Sequence, residues 1–127
     1  VFKILDTNPE IEFPKTNSNF IYSKGNIEFN NVNFHYKNTD LVLTDINLQI
    51  KHGETIAIVG PTGGGKTSLV SLLTRLYDVT SGEILIDGKN IKTLSQQDIA
   101  KNITMIPQDP FLFSNTILEN IRYILYV

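Results

Sequence analysis

Residues 60–68 read GPTGGGKTS, and they stand between an apolar run, TIAIVG at 55–60, and LVSLLTRLYD at 69–78. A strand that enters a glycine-rich turn and leaves it as a helix commits a chain to an α/β arrangement, because the helix must pack back on the strand's sheet. Gly60, Pro61, Thr62, Gly63, Gly64, Gly65, Lys66 and Thr67 satisfy the spacing G-x-x-x-x-G-K-[ST] in the context that gives the spacing meaning. Glycines let the backbone curl so that successive amide hydrogens face an anion, and the following helix adds the positive end of its dipole. A triphosphate is the guest that this chemistry fits. Lys66 supplies a point charge for its outer phosphates, and the Thr67 hydroxyl is placed to hold a bridging magnesium ion.

The flanking segments have readable periods. IEFNNVNFHY alternates, but the apolar phase moves from Ile27 and Phe29 to Val32, Phe34 and Tyr36, which predicts a bulged strand. DINLQI alternates through Ile46, Leu48 and Ile50, KHGE supplies a turn at Gly53, and TIAIVG reads as a short buried strand, the third before the loop. Beyond the loop, Leu69, Val70, Leu72, Leu73 and Leu76 predict the apolar face of a helix ending near Asp78. EILIDGKNI is a strand with an Asp87-Gly88 hairpin turn, Ser95 with Asp98 caps a short helix over 96–101, and ITMIPQ returns to strand. Residues 1–25, with two prolines and no sustained period, read as a linker, and VFKILD at its start is compatible with the end of an upstream helix.

The totals exclude several classes. The 127 residues make room for one domain, and a 41% apolar content is enough for a moderate core. Eleven basic against thirteen acidic residues, with no basic run of five, point away from nucleic acid and anionic lipid. Cysteine is absent, so disulfides and thiolate metal sites are excluded, and neither His35 nor His52 has a metal-ligand companion at helical or hairpin spacing; both read as surface histidines. Nothing approaches the roughly 18 consecutive apolar residues of a membrane helix, and no signal peptide opens the chain, so it reads as soluble. It starts at Val1 and holds one methionine, Met105, and so reads as a piece of a longer protein.

Four stretches, VFKILD, IEFNNVNFHY, GPTGGGKTSLVSLLTRLYDVTSGEILIDGKNI and MIPQDPFLFSNTILENI, resemble in order and spacing the first half of the nucleotide-binding domain of ATP-binding cassette (ABC) exporters, chiefly over residues 26–122. The resemblance implies a P-loop NTPase fold of the ABC ATPase type. In it an antiparallel β subdomain joins a partial parallel-sheet core, truncated before the helical subdomain and the second half of the core. It divides the chain into a linker from an upstream membrane domain at 1–25 and the N-terminal part of the domain at 26–127.

By resemblance the cofactors are ATP and Mg2+. Tyr36 matches the aromatic residue that stacks on adenine, and base–aromatic stacking of that kind is worth roughly 1–3 kcal/mol. Gly60, Thr62, Gly63, Gly64, Gly65, Lys66, Thr67 and Ser68 match the phosphate loop, and Gln108 matches the glutamine that completes magnesium coordination and senses the γ phosphate. Catalytic roles fall to Lys66 and Gln108, and metal ligation to Thr67 and Gln108. Phe111, Leu112 and Phe113 have two readings, buried packing or part of a surface that receives the membrane domains. Asp87 imitates an acidic magnesium-holding strand end, but it runs directly into Gly88 and reads as a hairpin residue instead.

The implied function is ATP binding and hydrolysis coupled to substrate transport across a membrane, at the cytoplasmic face, with a second nucleotide-binding domain and transmembrane domains as partners. The signature loop LSGGQ, the strand carrying the second magnesium aspartate, the catalytic glutamate and the switch histidine are not in the chain, so hydrolysis by it alone is not expected. Two other readings stand beside this one: a non-catalytic nucleotide-binding module, and a DNA-repair cassette ATPase, against which the near-neutral charge argues.

Overall fold

The computed structural model describes residues 10–14, 20, 24–37, 39–106, 108–109 and 112–123. Two strands, β1 (Ile27–Phe34) and β2 (Leu43–Ile50), precede the glycine loop, and helix α1 (Lys66–Leu73) follows it. Next come β3 (Ser81–Ile86), β4 (Lys89–Asn90), a 3-10 turn (Ile91–Thr93), α2 (Gln96–Asn102) and α3 (Ile117–Tyr123). The strands form one antiparallel sheet in the order β2-β1-β3-β4.

The expected phase slip in β1 is present, and β2 answers it. Partners run Phe29↔Leu48, Val32↔Ile46, Phe34↔Leu43, so β1 inserts one residue near Asn31 and β2 inserts one near Asp45. Both Asn31 (φ 49) and Asp45 (φ 48) adopt the left-handed conformation, which these two residue types tolerate because their short polar side chains bond locally. The Asn31 Nδ2 donates to Asp45 Oδ1 at 2.8 Å, and Asn47 Oδ1 accepts from the Asn31 amide at 2.9 Å. The two irregularities cancel, and Phe29, Val32, Phe34 and Leu43 all reach the core. On the other side of β1, Gly82 faces the bulge. A Cβ there would lie 2.3 Å from the Asn31 carbonyl oxygen, so only glycine admits this approach.

The core gathers Phe29, Val32, Phe34, Leu43, Leu69, Leu72, Val79, Ile84, Ile86, Ile91, Leu94 and Ile99 between the sheet, α1 and the segment 91–99. Burying each of these side chains is worth about 1.5–3 kcal/mol. Helix α2 has the expected cap: Ser95 Oγ accepts from the Asp98 amide while the Asp98 carboxylate accepts from the Ser95 amide. The hairpin at Asp87 (φ 47) and Gly88 (φ 76) is also as expected.

Three expectations are corrected. Helix α1 stops at Leu73 and not near Asp78. Arg75 takes φ 51, its amide donates to Leu72 O at 3.1 Å and the Leu76 amide donates to Ser71 O at 3.1 Å, a closed C-terminal motif that ends the helix and leaves Leu76 55% exposed. Residues 54–60 belong to no sheet and are all exposed, so TIAIVG is not the buried strand its composition suggests. ITMIPQ likewise forms no strand over 103–106. A strand exists only beside another, and none of the described residues lies alongside either run to complete a ladder. Of the linker expected at 1–25, residues 1–9, 15–19 and 21–23 are outside the described residues, as are Pro107, Phe111 and 124–127.

Candidate phosphate-loop site

Helix α1 begins at Lys66, and the first turn of any helix leaves its amide hydrogens without intrahelical partners. Gly65 caps it with φ 78 and no side-chain bond. A Cβ at Gly65 would come within 2.7 Å of Leu43 Cδ2 and 3.1 Å of the Val42 carbonyl oxygen, so this glycine is required both by its backbone angle and by the close approach of β2. Gly63 also has φ 81, and the Gly64 amide closes a turn onto Pro61 O at 3.1 Å. Gly60 and Thr62 are exposed at the mouth of the loop.

Lys66 folds back over this loop. Its Nζ donates to Gly60 O at 2.9 Å and to Pro61 O at 2.7 Å, which suspends the ammonium above the turn. The Thr67 side chain is exposed at the first turn of α1 and makes no hydrogen bond among the described residues, so its hydroxyl is available to a ligand or a hard cation. Ser68, 6% exposed, turns inward, and its Oγ is 2.8 Å from the Tyr36 hydroxyl. This bond joins residues 32 apart in sequence and brings the expected base-binding aromatic to the expected phosphate loop.

Tyr36 makes edge contacts with Phe34 (centroids 4.9 Å, 77°) and Tyr77 (5.1 Å, 88°). Its carbonyl accepts from the Thr39 amide at 3.1 Å and from Thr39 Oγ1 at 2.9 Å. A groove of about 1320 Å³ opens along Tyr36 and Tyr77, with Glu10–Phe13 on its other wall; no residue of 60–68 lines it, so Tyr36 is the link between groove and loop.

Arg75 holds that wall. It is 4% exposed, bonds Asp78 Oδ1 at 3.0 Å, Lys92 O at 3.1 Å and Glu12 O at 3.0 Å, and lies 4.5 Å over the Phe13 ring. The sequence reading gave neither Arg75 nor Tyr77 a part. The Arg75–Asp78 spacing of three was the one available signal, and nothing in the sequence singles out Tyr77.

Gln108 is exposed, and among the described residues no hydrogen bond joins its side chain to Lys66 or Thr67. Asp87 is far from a metal role. Its carboxylate accepts the amides of Lys24 (3.1 Å), Gly25 (3.0 Å) and Asn26 (2.9 Å), tying the lead-in chain to the β3–β4 hairpin. Leu112 (67%) and Phe113 (47%) are exposed, which removes the buried-packing reading for both, while Phe111 is outside the described residues. His52 is exposed, whereas His35 is partly buried, with Nδ1 2.9 Å from Tyr36 O. Among the described residues no cluster of three His, Cys, Asp or Glu could hold a metal, and no helix is long and apolar enough to cross a membrane.

At the far end of the described chain, Thr116 caps α3. The Glu119 carboxylate accepts from the Thr116 amide (3.0 Å) and hydroxyl (2.9 Å), and the backbone bond first, then the hydroxyl bond, hold its pKa below the usual carboxylate range.

A glycine turn at a helix start, with one ammonium bonded over it and an exposed threonine hydroxyl in the first helical turn, defines a nucleotide-binding protein of the P-loop class. The chain belongs to the ABC transporter family, whose model matches residues 43–124. It is 46% identical over 123 residues to a fatty acid ABC transporter ATP-binding/permease protein of Mycobacterium bovis, a match that takes in 97% of this chain and 19% of that protein. It is 50% identical over 99 residues to a putative multidrug export ATP-binding/permease protein of Bacillus subtilis, covering 77% of this chain and 17% of the relative. A solved bacterial Atm1-family ABC exporter with ATP bound superposes with a TM-score of 0.88 at 34% identity, over 96% of this chain and 22% of the exporter. The chain thus spans about a fifth of the length of these relatives.

Proposed function

We propose that this chain is the ATP-binding part of an exporter ATPase, in which nucleotide binding and hydrolysis drive a substrate across a membrane. The observation that carries the reading is the Lys66 ammonium held over the Gly60–Gly65 turn at the start of α1, with Ser68 joined to Tyr36. A triphosphate in the cradle competes with the Gly60 and Pro61 carbonyls for that ammonium, and a negatively charged oxygen is the stronger acceptor. The adenine ring stacks on Tyr36, and Gly63, Gly64, Gly65, Thr67 and Ser68 hold the phosphates. Membership of the family supports ATP as the nucleotide.

The exposed Thr67 hydroxyl and the amide oxygen of Gln108 are hard oxygen donors suited to magnesium, and they are the residues that would hold it; bound there, the ion would neutralise charge on the outer phosphates. A second nucleotide-binding domain and transmembrane domains are the proposed partners, at the cytoplasmic face of the membrane, with residues 1–25 as the linker from the upstream membrane domain. That the relatives are named as ATP-binding/permease proteins supports the transmembrane partner. A second reading is a module that binds nucleotide through the same loop without hydrolysing it.

Calorimetric titration with Mg-ATP, with Lys66→Ala as control, tests the common part of both readings. Binding that disappears in the variant supports the loop as the phosphate site. Equal binding by both proteins overturns it.

A further inference from the structure

The Tyr36 ring is fixed at three points of different kinds. Its backbone carbonyl is held by Thr39, its ring edges meet Phe34 and Tyr77, and its hydroxyl is 2.8 Å from Ser68 Oγ. Only the last of these reaches the phosphate loop. Ser68 is 6% exposed, directly follows Thr67 and stands in the first turn of α1.

A serine hydroxyl has one proton to give and two lone pairs. It can therefore accept from the Tyr36 phenol and donate to a phosphate oxygen at the same time. A chain in which phenol donates to serine and serine donates to a phosphate oxygen is polarised in one direction, and each bond strengthens the other. Resting on the nucleotide-binding reading above, we propose that Ser68 is a positioning residue for Tyr36. It sets the ring against which the base is read, and it makes recognition of the base depend on occupation of the phosphate loop. The pair thereby favours a nucleoside triphosphate over a bare inorganic triphosphate by more than stacking alone provides.

Tyr36→Phe removes the hydroxyl and keeps the ring with its contacts to Phe34 and Tyr77, so the packing of the aromatic group is preserved. The test is the affinity for Mg-ATP and for magnesium triphosphate of the wild type, Tyr36→Phe, Ser68→Ala, Ser68→Thr and the double variant Tyr36→Phe/Ser68→Ala. One lost hydrogen bond corresponds to a factor of about three to ten. Tyr36→Phe is expected to weaken ATP by that factor and to leave triphosphate nearly unchanged. Ser68→Ala should lower the preference for ATP over triphosphate by a similar factor, the double variant should lower it no further, and Ser68→Thr should restore it. Tyr36→Phe binding ATP as the wild type does, or two effects on the preference that multiply, would overturn the proposal while leaving the loop intact as a phosphate site. If Lys66→Ala binds both ligands as tightly as the wild type, the loop reading itself fails, and the role of the pair falls with it.

Discussion

The Lys66 ammonium is 2.7 Å from the carbonyl oxygen of Pro61, five residues earlier in the chain. With the second bond to Gly60 O, the cation is held where an anion entering the glycine turn meets it.

Replacing Lys66 with alanine removes a charge-assisted contact, worth about 1.5–3 kcal/mol, and so lowers the affinity for Mg-ATP by roughly 10- to 100-fold. The melting temperature is expected to stay near that of the wild type, because among the described residues the lysine side chain bonds its own loop alone. Calorimetry and a thermal melt on the same sample check both statements.

Tyr36→Ala removes the stacking surface as well as the hydroxyl. ATP should weaken by about 1–3 kcal/mol while inorganic triphosphate changes little. Equal losses for the two ligands would show that Tyr36 does not touch the base.

Gly82→Ala tests the seam between β1 and β3. The new Cβ would fall 2.3 Å from Asn31 O at a backbone φ of 79, so strain and overpacking combine to a destabilisation on the order of 2–4 kcal/mol. Gly88→Ala, where nothing lies within 4 Å of the added carbon, carries the φ penalty alone and should lose less. Denaturant midpoints of the two variants give the comparison.

Arg75→Ala leaves the Glu12, Lys92 and Leu94 carbonyls short of a donor and Asp78 without its cation. The expected destabilisation is about 3 kcal/mol. Hydrogen exchange should locate the loosening at residues 10–13 and 91–95.

Glu119 titrates lower in the folded chain than in the unfolded one. Its contribution is therefore present above the unfolded carboxylate range and is lost as the pH falls through that range to the lower folded value. Because the group is fully exposed, the effect is confined to the cap of α3. The protection of the 117–120 amides, taken relative to their intrinsic exchange rates at each pH, should fall at acid pH in the wild type, and Glu119→Gln should remove most of that dependence.

Much of this architecture was legible because it was written in local chemistry. The phase slip from Phe29 to Val32, the Asp87-Gly88 turn and the Ser95–Asp98 cap each depend on residues within a few positions of one another, and each is present. Local signals misled where a partner was needed. TIAIVG has strand composition, but pairing is a property of two segments, and its own letters do not say whether a neighbour is there. The length of α1 failed for a related reason: Leu76 continues the apolar period, yet Arg75 is drawn into carbonyls from Glu12, Lys92 and Leu94, and that pull comes from outside the helix. At the site, the motif named Lys66, Thr67 and Ser68, whereas the Ser68–Tyr36 bond and the Tyr77 contact are long-range facts that no spacing encodes.

The paired insertions near Asn31 and Asp45 make the placement of the aromatic ring a matter of parity. Counting from Phe29, an uninterrupted strand would put odd-numbered residues inward; the extra residue in β1 hands that face to Val32, Phe34 and, past the strand end, Tyr36. Were the same residues to run through β1 without the bulge, Asn33 and His35 would take the inward face and Phe34 and Tyr36 would leave it. The meeting of the Tyr36 ring with Ser68 therefore hangs on an arithmetic detail of the sheet, and the extra residue in β2 near Asp45 brings the two strands back into step.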